Sequence, residues 1–198
     1  MNDVELLAEW VQDLAHEVRN EIATLSLEEL TWQPDARGNS IGVTVWHFSR
    51  WLDFLLVRGF LNQPAEAEQW HTRGWREKTG YDPRGIGYEG WGALTGYTWD
   101  EVEAIPTLLA NDLLTYLDQT AAAMHDFILT LSTERLHQPI AGLGGGGPIY
   151  TPRFGGTTGT AYQWLKIVIK GSQRHLGEIQ AFKAMQARAR QESRAVQN

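Results

Sequence analysis

The feature that most constrains this chain is residues 160–190, TAYQWLKIVIKGSQRHLGEIQAFKAMQARAR. Apolar side chains fall at Tyr162, Leu165, Val168 and Ile169, then at Leu176, Ile179, Phe182 and Met185. Gaps of three and four place them on one face of a long helix, which must bury that face against other helices. His175 lies close to the face, with Gly171 one turn before it. A second helical pattern, GVTVWHFSRWLDFLL, carries His47 among Val43, Val45, Phe48 and Leu52. Two inward histidines on two helices are the main functional signal.

The other periodic stretches predict further helices. Residues 4–25 form an amphipathic helix striped by Leu6, Leu7, Trp10, Leu14, Val18, Ile22 and Leu25. Ser26-Leu27-Glu28-Glu29 has capping-box spacing and opens a short turn, which Pro34 stops. Residues 41–60 form the second helix. A third region, capped by Asp100, runs to about Leu131 with Pro106 early in it and an apolar stripe of Leu109, Leu113, Tyr116, Leu117, Met124, Phe127, Ile128 and Leu131. The pieces LSLEEL and LSTERL each lead into a proline, a loop and a histidine-bearing helix, so the chain reads as two similar halves. No stretch alternates as a strand. The expected fold is all-α, a single domain over residues 1–198 built as a four-helix bundle of up-down-down-up type.

Residues 62–99 interrupt the pattern with Trp70, Trp75, Tyr81, Tyr88, Trp91, Tyr97 and Trp99 among many glycines. Without a sustained period they read as a long ordered loop whose rings pack on the bundle or serve a homodimer contact. Residues 142–159 form a glycine-rich loop, but no Gly-Lys-Ser/Thr follows, so a nucleotide cradle is not indicated. Residues 188–198 make a polar tail expected to fray.

Composition removes several functions. Lys plus Arg is 17 against 24 for Asp plus Glu, a formal charge of −7 with no basic block, which argues against nucleic acid. There is no cysteine, hence no thiolate nucleophile and no Cys-ligated metal. The first residues lack signal-peptide character, and no apolar run is long enough for a membrane span. A cytoplasmic protein acting on a small molecule is the expectation.

LSLEELTWQP, VWHFSRWLDFLL and RHLGEIQAF, in this order, resemble the DinB/YfiT-like family of four-helix bundles over nearly the whole chain. That resemblance implies a divalent metal, zinc or nickel, held by one histidine of the second helix and a His-x-x-x-His pair of the fourth. It also implies transferase or hydrolase chemistry, in some members dependent on a low-molecular-weight thiol. His47 and His175 match two of those metal ligands. The position of the third is Gly171, which has no side chain to give.

Three readings follow. Metal persists with a substitute ligand, His71 or Glu178; or metal is lost and the gap at Gly171 binds a small molecule beside His47 and His175; or both histidines are satisfied core residues of an interaction module. Arg50 and Arg174 could hold an anionic group, although such arginines more often form ion pairs. Asp53, about two-thirds of a turn from His47, reads as a solvated or salt-bridged carboxylate. His16 and His125 read as surface residues.

Overall fold

The computed structural model describes residues 2–140 and 159–197. Among them there is no strand, only one isolated antiparallel bridge between Pro139 and Thr160. The helices are α1 (Asp3–Ile22), α2 (Leu27–Thr31), α3 (Ile41–Phe54), α4 (Gln69–Thr72), α5 (Trp75–Thr79), α6 (Trp99–Glu103), α7 (Ala110–Leu129), α8 (Thr133–Leu136) and α9 (Ala161–Gln197). A π-helical segment, Leu55–Phe60, extends α3. Four of these are long. Both α1 and α3 pack against both α7 and α9, so the four close into a ring around one core.

Helix starts follow local chemistry. Asn2, Ser26 and Thr98 each form a capping box with the glutamate three residues on, while Ser40 and Ser132 accept from the N–H groups of Val43 and Arg135. Ser26 and Ser132 thus open α2 and α8, the matched short helices of the two similar halves. The expected cap Asp100 is instead inside α6, and Thr98 does the capping. Pro106 does not sit within one long third helix. It lies in the break between α6 and α7, because it lacks an N–H and disfavours helical geometry in the residue before it.

The stripe of α1 also differs from expectation. Val4, Leu7, Ala8, Val11, Leu14, Ala15, Val18 and Ile22 are buried, whereas Trp10 is 43% exposed. The two alanines allow close approach of neighbouring helices, and the buried face therefore turns away from Trp10. Leu109, expected in the third stripe, is 57% exposed just ahead of α7. Within α7, Leu113, Tyr116, Leu117, Met124 and Ile128 are buried as expected. Each such side chain stabilises the core by about 1.5–3 kcal/mol.

Residues 62–99 are more regular than their composition suggests, with α4, α5 and two 3-10 turns, Ala65–Ala67 and Tyr88–Gly90. Their rings do cover the bundle. Trp70 stacks on Trp75 and meets Trp46 edge-on, while Trp91 packs against Trp51 and Phe54. The polar C-terminal residues are helical to Gln197 rather than frayed. Gln186, Lys183 and Arg190 bind Glu29 O, Glu21 and Glu29 across the bundle, which ties that end of α9 to α1 and α2. The glycine-rich stretch lies outside the described residues except for Gly159.

Candidate functional site

The site forms where α3 meets α9 beneath the chain at residues 90–95. Ridge-to-groove packing turns His47 of α3 toward His175 of α9, and the two rings meet edge to face with centroids 4.9 Å apart. Both are half-buried. They line a cavity of about 180 Å³ together with Phe48, Trp51, Thr95, Ile167, Val168, Gly171 and Ser172. A Cβ added to Gly171 would meet nothing within 4 Å, so the missing side chain leaves open space there.

Hydrogen bonds fix both rings. His47 Nδ1 lies 2.7 Å from the Ala93 carbonyl oxygen, which can only accept, so Nδ1 carries the hydrogen and Nε2 of the neutral ring carries the lone pair. His175 Nδ1 lies 2.7 Å from Glu178 Oε2, so its Nδ1 also carries the hydrogen, and in the neutral ring Nε2 carries the lone pair. Ser172, between them on α9, donates its hydroxyl to Val168 O at 2.8 Å. Burial, with a smaller contribution from neighbouring His175, pushes the His47 pKa down to about 3 against the opposing bond to Ala93. His47 is neutral across the physiological range.

A buried charge cluster stands behind this wall. Arg50 is 1% exposed; its Nε donates to Gly92 O at 3.0 Å and its Nη2 to Glu68 at 2.7 Å. Asp53, fully buried, accepts from the N–H groups of Gln69 and Trp70, from Tyr116 and from Arg50. Arg58 donates to Gly90 O at 3.2 Å. His47, Arg50 and Arg58 therefore grip three carbonyls, Ala93, Gly92 and Gly90, and hold the strap that brings Thr95 to the pocket. Burial also pushes the Glu68 carboxyl above its usual range, which suits two carboxylates sharing one inner guanidinium.

The expectations for the other polar residues resolve here. Of the two alternatives for Asp53 the salt-bridged one holds, with Arg50 as its partner, and the carboxylate is the centre of the buried cluster; helix position relative to His47 could not reveal that α4 folds back onto it. Arg50 is committed to internal partners, and Arg174 is exposed outside the pocket lining. His71 does not line the pocket either. Glu178 binds the far nitrogen of His175. Thr95, Phe48, Trp51 and Ser172 were missed as site residues; the spacing of Phe48 and Trp51 from His47 placed them on α3, but nothing short of the fold brings Thr95 there.

The profile of the DinB superfamily matches residues 9–179. The chain belongs to the DinB superfamily. Its fold is also that of a conserved protein from Enterococcus faecalis of known crystal structure, at 19% identity, 93% coverage of this chain, 97% of that chain and a TM-score of 0.71. No curated protein matches it.

The metal expected of a DinB superfamily member can be tested against the residues present. Two features fit: each histidine has its Nδ1 engaged by a fixed acceptor, as metal-binding imidazoles do, and each leaves Nε2 available. The count does not fit. Among the described residues no group of three His, Cys, Asp or Glu is placed to hold an ion. Residues 141–158 contain none of these four types, so they cannot supply the third. A catalytic zinc site takes three protein ligands, and this pocket offers two.

Proposed function

We propose that this DinB superfamily protein binds a small molecule in the α3/α9 pocket, and that His47 and His175 contact it directly without the family's three-histidine metal. The observation that carries this reading is the open space at Gly171 beside two imidazoles whose Nε2 atoms remain available. The pocket shields a ligand partly from water, so each hydrogen bond to those nitrogens counts for more than it would on an open surface. His47, held neutral by burial, is a hydrogen-bond acceptor and too weak a base to take up a proton near neutral pH, so an acid–base reaction of the bound molecule would run through His175. Ala93 and Glu178 keep the ring orientations that such a transfer needs.

The competing expectation is a zinc- or nickel-dependent transferase or hydrolase, using a low-molecular-weight thiol as some relatives do. It is favoured by one observation, the engagement of both Nδ1 atoms, and it would draw only His47 and His175 from this chain.

Elemental analysis of untagged protein, before and after dialysis against zinc and nickel, separates the two. The proposal expects far less than one metal per chain under both conditions. Close to one metal per chain, lost in His47→Ala and His175→Ala, would overturn it in favour of the metalloenzyme.

A further inference from the structure

The Nδ1–H groups of both pocket histidines and the hydroxyl hydrogen of the pocket serine are already engaged. His47 donates Nδ1–H to Ala93 O, His175 donates Nδ1–H to Glu178, and Ser172 donates its hydroxyl to Val168 O. With both imidazoles neutral, three of the four His, Ser and Thr side chains lining the cavity therefore offer a ligand lone pairs only. The fourth, Thr95, has a hydroxyl that can turn to donate or accept. No lysine or arginine lines the cavity among the described residues. The nearest inward guanidinium, Arg50, is bound to Glu68, Asp53, Tyr116 and Gly92 O. The remaining lining is aromatic and aliphatic, from Phe48, Trp51, Ile167 and Val168.

Resting on the small-molecule reading above, we infer that this pocket selects a compact organic cation rich in N–H donors, a primary ammonium or an amidinium, and rejects carboxylates and phosphates. A donor-rich cation would satisfy Nε2 of His47, Nε2 of His175 and Ser172 Oγ at once. Its carbon part would pack against the apolar faces of Phe48 and Trp51. An anion entering the same space would set its lone pairs against lone pairs and find no countercharge, and burying such a group unpaired is costly. The cavity volume, about 180 Å³, suits a ligand smaller than the drug-sized molecules that fill typical pockets of roughly 300–1,000 Å³. Glu178, bonded to His175 Nδ1, makes Nε2 of that ring a stronger acceptor.

Benzamidinium and benzoate test this, because they share a ring and a planar head group and differ in donors and charge. Full-length protein is stripped with EDTA and titrated with each at pH 8, followed by tryptophan fluorescence and ligand-detected NMR. The same titrations are made on Gly171→Leu, which fills the open space, after circular dichroism has shown it to be helical. The expected result is binding of benzamidinium about tenfold tighter than benzoate or more (~1.4 kcal/mol), with loss of binding in Gly171→Leu. Equal or tighter binding of benzoate, still blocked by Gly171→Leu, would overturn the cation preference and leave the pocket standing. Failure of both probes to bind, or binding indifferent to Gly171→Leu, would overturn both. Should Gly171→Leu not fold, Ser172→Val serves in its place, with selective loss of benzamidinium as the expected outcome and an unchanged ratio as the refuting one.

Discussion

His47 and His175 lie edge to face across the α3/α9 interface, 4.9 Å between ring centroids, and each is turned by a bond from its Nδ1. One acceptor is a main-chain carbonyl and the other a carboxylate on the same helix as its partner. The pair is therefore fixed from two independent directions, and that geometry makes the following outcomes expected.

Gly171→His should create a metal site. Its Cβ would enter open space, and a histidine there stands one turn from His175 on the same helix face. The substitution also removes a helix-interior glycine, worth up to about 1 kcal/mol in propensity. Zinc affinity measured by calorimetry should rise at least about tenfold over wild type. No gain would show that the α3 and α9 imidazoles cannot converge on one ion.

Stability should depend on pH through His47. Its folded pKa lies below the ordinary 6.5, at about 3, so between those values the unfolded chain binds the extra proton. The stability this group contributes is complete above pH 6.5 and is lost as pH falls. From pH 7 to pH 5 wild type should lose roughly 2 kcal/mol more than His47→Asn in denaturant unfolding. Parallel losses in the two proteins would refute the assignment.

Arg50→Met should be severely destabilising, by about 3–5 kcal/mol, because it strands Asp53 and Glu68 as buried carboxylates. The more exposed pair Lys78–Asp112 provides the contrast, and Asp112→Ala should change stability by no more than about 1 kcal/mol. Chemical denaturation of both variants checks the difference, and similar losses would argue against a buried network.

Gly92→Ala should disturb the site from outside the pocket's polar groups. Its φ is +65°, and an added Cβ would fall 2.4 Å from the Pro83 carbonyl oxygen, which is backbone and cannot swing aside. A cost of about 2 kcal/mol or more is expected, with a changed His47 Nδ1–H resonance. Gly80→Ala, equally left-handed but in open space, should cost only about 1 kcal/mol and leave that resonance alone. Equal effects would show that the strap tolerates displacement.

The helices that carry the site were legible because their apolar periods are long. His47 and His175 could be paired from the resemblance, and its His-x-x-x-His pattern is also what marked the vacancy at Gly171. The wall behind them could not. Asp53 meets Gln69 and Trp70 only because residues 62–99 fold back on α3, and no local period records that return. Trp10 and Leu109 misled for a related reason: periodicity says that a face is buried, while neighbouring alanines and a proline break decide where it begins and ends.

The strap at residues 90–93 meets its three clamps through main-chain oxygens. Side chains there can change without removing any acceptor that His47, Arg50 or Arg58 uses. Adding or deleting one residue would instead slide every carbonyl out of register together and release the His47 ring with them. The orientation of a pocket histidine is thus encoded in the length and turns of a segment more than forty positions downstream, where a substitution acts through backbone conformation, as at Gly92, and not through a lost acceptor.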